Sequence, residues 1–251
     1  MSLLRVPGLR GRLPVSDYPR PLFLHTYTPT PLPPAVYPVD VTEGIDDWGM
    51  LGNGPDPTCT THPDGVGDCT FAGRQHYKMA KAARGHETET WESSNDLVAE
   101  YLDYDHGQDE GANIAQLLHS WFKAGKILAY APVDHRDPAH VDAALQAFTG
   151  VYCGVSLTDD ADQLFSEGLP WTLANGEEPD PDEGHCIVKI AADGHTLDKY
   201  VTWGATQPAT RDWSSACVEE AWVIITEEDA HSGLIDLAAL RSDIKGLDGT
   251  E

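Results

Sequence analysis

Basic side chains are scarce in this chain. Lysine and arginine together number 16 against 41 aspartates and glutamates, a formal net charge of −25 over 251 residues. A field of that sign repels phosphate backbones and anionic headgroups, which argues against nucleic acid and membrane surfaces as partners. Long apolar runs are missing too, and none approaches the roughly 18 residues of a membrane span. The opening MSLLRVPGLRGRLPV lacks the apolar stretch of about 7–15 residues that marks a signal peptide. Cysteines are few and odd in number, at 59, 69, 153, 186 and 217, which does not read as a disulfide framework in a chain this long. The expectation is a soluble protein with reduced thiols, cytoplasmic or carried in a virion.

What is present is unevenly spread. Residues 1–38 hold Arg5, Arg10, Arg12 and Arg20 but one acid, Asp17, for +3. Removing that +3 from −25 leaves −28 on the remainder. Nine of the 18 prolines fall in residues 1–47, including PRP and PTPLPPAVYP. Proline fixes φ and removes a donor, so this segment is expected to be an extended, poorly paired arm. Its Leu22, Phe23, Leu24, Tyr27, Val36, Tyr37 and Val39 are anchors that a pure spacer does not need. A basic arm on an acidic body has two options, to fold back on that body or to grip an acidic neighbour. The expected organisation is this arm over residues 1–47, one domain over 48–240, and an acidic tail over 241–251.

Helical periodicity begins after Asp68. CTFAGRQHYKMAKAARG sets Ala72, Met79, Ala80 and Ala83 along one side, with Asp68 as cap and Gly85 as stop. SSNDLVAEYLDY and DPAHVDAALQAFTG follow the same logic. GANIAQLLHSWFKAG is clearest, with Ile114, Leu117, Leu118, Trp121 and Phe122 at helical spacing and Gly125 closing it. After residue 150 the period shortens. VYCGVSL, HCIVKIAAD, LDKYVTWG and EAWVIIT read as strands, with DGHT as a hairpin turn. Helices followed by strands imply an α+β fold with a mainly antiparallel sheet, and ALRSDIKGL adds a helix near the end.

Three readings compete for Cys69. A thiol in the first turn of a helix feels unpaired backbone N–H groups and the positive end of the macrodipole, which favour thiolate. As a nucleophile it needs a base, and His185 in DEGHCIVKIAADG is the best candidate. An acyl-transfer site also needs oxyanion donors, for which the Cys69 backbone N–H and the Asn53 amide are available. Such chemistry requires both groups to meet in a groove that solute can enter. Alternatively, Cys59 and His62 form a C-x₂-H pair that, with Cys69 and Cys186, suggests zinc, though structural zinc sites show two tight pairs. The favoured view is that Cys59 and His62 are exposed loop residues and that no metal is bound. The third reading is a packed core thiol, as expected for Cys153 and Cys217.

The order GDC at a helix start, a central pair of helices, GH on a strand and WG on the next resembles the papain-like cysteine peptidase superfamily, over roughly residues 48–226. WGMLGN with GDCTFA, GHCIVKI and VTWG is similar to uncharacterised papain-fold proteins of actinobacteria and their phages. The resemblance implies a papain-like fold, Cys69 as nucleophile, His185 as base, Asn53 as oxyanion amide and Trp203 as a shield over the histidine. GPDPTCTTHPDG becomes an insertion between oxyanion residue and nucleophile. It implies acyl transfer on a peptide or amide without a cofactor. Three departures stand out, the first being that residues 1–47 do not resemble the helical inhibitory propeptide of papain-type zymogens. The position that orients the histidine is Val201, leaving Asp198 or Gln207 as substitutes, and Asp68 beside the thiol disfavours thiolate. These departures support an alternative, a catalytically inactive virion subunit that docks on an assembly partner through residues 1–47. The acidic stretch NGEEPDPDEG, residues 175–184, would bias a cleft at His185 toward cationic substrates.

Overall fold

The computed structural model describes residues 5–14, 22–42, 45, 47–85, 92–174 and 176–247. Asp17, the whole PRP stretch with Arg20, Asn175 at the start of the acidic stretch NGEEPDPDEG and the last four residues lie outside them.

The helical half comes first. α1 covers Leu24–Tyr27, and α2 covers Cys69–Gly85. The carbonyl of Asp68 accepts the first α2 bonds, from Phe71 and Ala72. Its side chain, expected to cap, makes no hydrogen bond among the described residues. α3 (Ser94–Tyr104) starts on the Ser93 side chain and α4 (Ile114–Lys123) on that of Asn113, the local partners that orphaned N–H groups require. α5 covers Pro138–Phe148, with Asp137 capping and proline in its first turn. Arg74 of α2 donates to both oxygens of Glu100 in α3 at 2.8 Å and lies 4.6 Å from the Trp121 ring of α4. That guanidinium ties three helices together.

The sheet half is built from β1 (Val39–Asp40), β2 (Ala129–Val133), β3 (Val151–Ser156), β4 (Gly184–Ala192), β5 (Leu197–Thr202), β6 (Ala205–Thr210) and β7 (Val218–Ile225). Their order is β2-β7-β3-β4-β5-β6, with β1 added against the end of β4, and every pairing is antiparallel. Short helices α6 (Ala161–Glu167), α7 (Arg211–Cys217) and α8 (Glu227–His231) fill the connections, and α9 covers Leu237–Gly246. α9 runs past residue 240, the expected domain boundary, because Leu240 and Ile244 are buried. β2 precedes residue 150, where strands were expected to begin, and β6, with its proline, escaped the periodicity. The DGHT turn joins β4 to β5, with Asp193 accepting from the N–H groups of His195, Thr196 and Leu197. Among the described residues, no helix is long and apolar enough to cross a membrane.

The arm residues lie on the chain's own body. Leu22, Leu24 and Tyr27 are buried, the Tyr27 hydroxyl donates to Asp243 at 2.7 Å, and β1 pairs with β4. The Tyr37 hydroxyl donates to Asp142 of α5 at 2.7 Å. Asp142 is fully buried and also accepts from Lys189 of β4 at 2.8 Å and from Arg211. Lys189 pairs in turn with Asp198 of β5 at 2.9 Å. This network fixes the two strands that carry the site. Burial raises the Asp142 carboxyl, but the charge of Lys189 and the hydrogen bonds outweigh it, so the pKa falls below the ordinary value. Asp142→Ala leaves the Lys189 ammonium with only Asp198 in a dry interior. We expect a loss of about 3–5 kcal/mol, typical of a broken buried pair, read from urea unfolding midpoints. A loss below about 1 kcal/mol would show the network to be dispensable.

Candidate active site

Helix α2 delivers Cys69 at its first residue, facing β4. Cys69 lies beside Cys186, the residue after His185, whose backbone N–H draws the thiol pKa down against burial. Close approach is possible because the α2 residue one turn on is Gly73. A Cβ there would stand 3.0 Å from the Tyr152 ring and 3.2 Å from the Cys186 sulfur. The antiparallel register sets His185 opposite Val155 and Cys186 opposite Gly154. Cys69 thus meets the strand that carries His185, 116 positions on in the sequence, across the junction of the two halves.

The His185 ring is held on two sides. Its Nε2 is 2.7 Å from the Thr202 hydroxyl, and the Trp203 ring stacks on it at 4.8 Å with an interplanar angle of 29°. Trp203 adopts φ +45°, leaving the extended path of β5 as it turns its ring over the imidazole. Nδ1 of His185 is buried without a hydrogen-bond partner among the described residues.

Thr202 takes the place expected of Asp198 or Gln207, and both of those expectations are corrected. Asp198 is committed to Lys189. Gln207 accepts from Arg5 at 2.8 Å and donates to the Leu169 carbonyl at 2.8 Å. Val201 is buried in the β4–β5 pairing opposite Val188. Because side chains alternate along a strand, the next residue faces the other way, and that residue is the one beside His185. Strand parity was the signal available in VTWG.

Asn53 sits in the turn before the loop that leads to α2. Its side-chain amide donates to the carbonyls of Leu9 at 3.1 Å and Val66 at 3.3 Å, and the Leu9 N–H donates back to the Asn53 carbonyl at 3.1 Å. A peptide carbonyl of the arm therefore occupies the donor expected to hold an oxyanion.

That contact belongs to a longer one. Residues 8–13 lie between the two halves. Gly11 and Leu13 exchange backbone hydrogen bonds with Ala112 on the helical side, while the Arg12 N–H donates to Gly184 on the sheet side at 3.3 Å. A Cβ on Gly8 would meet the Trp203 ring at 2.3 Å, and one on Gly11 would meet the Gly67 carbonyl at 1.5 Å. Arg10 lies 4.9 Å from the Trp203 ring and pairs with Glu183 and Asp162. The expectation of a solute-accessible groove is thus overturned. Cys69 and His185 are each 1 % exposed, because the arm fills the space beside them.

Burial detunes both groups. It pushes the Cys69 thiol up to about 12, against the pull of the Cys186 N–H, Arg12 and Arg10. It also drives the His185 pKa well below its ordinary value, helped by Arg10, His76 and Arg12. Asp68, fully buried, is pushed well above the usual carboxylate range, chiefly by burial. The like-charge objection to a thiolate beside it weakens accordingly. Cys59, expected to be exposed, is buried, with its sulfur 3.7 Å from the Thr61 hydroxyl. Among the described residues no group of three or more His, Cys, Asp or Glu side chains is placed to hold a metal ion.

No protein-family model matches the chain, and no curated protein matches it by sequence. Solved structures do. Xylellain, a cysteine protease from Xylella fastidiosa, aligns with a TM-score of 0.62 at 14% identity, covering 90% of this chain and 99% of that one. Digestive procathepsin L 3 of the Tenebrio molitor larval midgut aligns with a TM-score of 0.55 at 13% identity, covering 88% and 76%. At such identities the likeness is one of fold. With its helical half, its antiparallel sheet and the junction between them, the chain has the fold of the papain-like cysteine peptidases.

Proposed function

We propose that this protein is a papain-like cysteine peptidase or amidase, held closed by its own residues 8–13. The observation that carries the reading is a buried thiol at the start of α2, beside Cys186 and so one residue from an imidazole fixed by Thr202 and Trp203. A packed core thiol needs no such neighbour. In the open state His185 Nδ1 takes the Cys69 proton while Nε2–H donates to Thr202, and the thiolate attacks an acyl carbonyl. Asn53, released from Leu9, and the Cys69 N–H hold the oxyanion. The imidazolium protonates the leaving group, and water, or an amine, then resolves the thioester. The resting chain has neither thiolate nor imidazolium, so the arm acts as both cover and electrostatic lock. The assembly-subunit alternative leaned on Val201 and on a free arm. A threonine in the orienting role and arm anchors buried in cis favour the enzyme.

The pH dependence follows with a definite sign. Displacing the arm removes desolvation, the largest influence on both groups, so the thiol pKa falls from about 12 and the histidine pKa rises. Relief of burial thus moves both groups toward the thiolate–imidazolium pair, against the loss of Arg10 and Arg12 beside the thiol. In the intact chain, iodoacetamide should modify Cys69 appreciably only at strongly alkaline pH. Gly11→Ala, which collides with Gly67, should raise the neutral-pH rate at least tenfold, and adding His185→Ala should abolish the gain. Modification of the opened chain no faster than that of an unfolded thiol would remove the basis for catalysis.

Within the Gly11→Ala background, Thr202→Val should lower the neutral-pH rate by about 3- to 10-fold, the worth of one neutral hydrogen bond. Thr202→Ser should retain it. Equal rates for the three would show that His185 is oriented by Trp203 alone.

A further inference from the structure

Arg12 is held in a way that a mere strap does not require. Its side chain is 1 % exposed, and each of its three guanidinium nitrogens has an acceptor. Nε pairs with Glu220 at 3.2 Å, Nη2 with Glu219 at 2.5 Å, and Nη1 donates to the Val155 carbonyl at 3.2 Å. Glu220 is itself buried and held by the Trp222 indole N–H at 2.8 Å. Burial pushes the Glu220 carboxyl up and Arg12 draws it back.

The pocket is also shaped for this occupant. A Cβ at Gly154 would stand 2.7 Å from Arg12 Nε and 2.7 Å from the Glu220 carboxylate, so a larger residue closes the slot. A Cβ at Gly184 would stand 2.3 Å from the Arg12 carbonyl, closing the path of the backbone. Gly154 lies on β3 beside Val155, whose register partner is His185. The slot therefore lies one residue along β3 from the strand partner of His185. A planar fork with acceptors for every nitrogen fits guanidinium and not the point charge of an ammonium.

We propose that the slot formed by Glu219, Glu220, Val155 and Gly154 is an arginine subsite of the cleft, occupied in cis by Arg12, and that the ligands this cleft takes in trans are arginine-bearing peptides. The inference names the ligand class of the site proposed above and so rests on that reading for its catalytic consequence, but not for the binding itself. Arg10, on Glu183 and Asp162, supplies a second, more exposed hold two residues away. A peptide with arginines at that spacing engages both.

The test uses the full chain carrying Gly11→Ala and Arg12→Ala, which removes the arm's steric fit and its guanidinium together. The probe is a fluorescent peptide copying residues 5–14, followed by anisotropy. We expect saturable binding, at least tenfold weaker when the arginine matching Arg12 is replaced by citrulline or lysine. Glu220→Gln, close in shape and still able to accept from Trp222, should weaken the parent peptide at least tenfold. Glu219→Gln, at a partly exposed position, provides a variant with little risk to folding and should weaken it by a smaller factor. Equal affinity for the arginine and citrulline peptides overturns the inference, as does indifference to both glutamate changes. An arm that stays docked, with Cys69 as unreactive as in the parent, also overturns it, because the slot then contributes nothing to holding an arginine. Selective binding without His185-dependent reactivity would instead sink the hydrolase and leave the subsite standing.

Discussion

Helix α2 approaches the sheet at Gly73, which brings no side chain of its own against Tyr152 and Cys186, and the remaining features of the site depend on that approach. The first turn of α2 can reach the Cys186 backbone only if the helix axis comes this near the sheet. The Tyr152 hydroxyl, donating to the Thr70 carbonyl at 2.5 Å, pins the same turn from β3. Residues 8–13 run along the junction of the two halves, bonded to Ala112 on one side and to Gly184 on the other. A larger residue at position 73 would move the helix bodily, and the sulfur with it.

The cleft is filled by a segment whose chemistry complements both walls. Toward the helical half it offers backbone groups, to Ala112 and Asn53. Toward the sheet half it offers guanidinium groups, to Glu183, Glu219 and Glu220. The charge asymmetry of the sequence thereby acquires a location. Arg10 and Arg12 lie on Asp162, Glu183, Glu219 and Glu220, where the alternative would be carboxylates desolvated without a partner. Gly8 and Gly11 let the backbone pass where Trp203 and Gly67 leave no room for a side chain. Closure and detuning are one event. The same desolvation that hides the thiol also keeps it protonated.

Much of this was legible in the residues, for reasons that differ by element. The spacing in GANIAQLLHSWFKAG and the caps at Ser93, Asn113 and Asp137 are local signals, and the helices follow them. HCIVKIAAD and EAWVIIT are dense enough in β-branched residues to declare themselves. β6 does not, since ATQPAT shows no apolar alternation and is held by the Trp171 and β5 backbones and by the buried Gln207 amide. The third partner of the histidine was obscured by a motif offset. Counting back from the tryptophan points to Val201, whereas the alternation of the strand points to Thr202. The path of the arm was beyond reach because proline content reports extension and not destination. The glycines in RVPGLRGR carried the one usable hint, that this stretch passes something closely.

Tethering shapes what a free peptide must do to enter. A segment joined to the domain by a short linker acts at an effective concentration on the order of millimolar. A peptide that merely reproduces residues 5–14 must approach that concentration before it holds half of the clefts. A productive ligand therefore has to bind better than the arm does, and the geometry indicates where improvement is available. The Arg12 slot is saturated, each nitrogen already having its acceptor. Arg10 is less complete, stacked on Trp203 and paired with carboxylates that are partly exposed. Gly8, by contrast, brings no side chain to Asn53 or Trp203. Affinity beyond that of the arm must come from groups that the glycines leave out, placed beside the tryptophan. The glycines that let the arm enter thus also keep its grip weak enough to be exchanged.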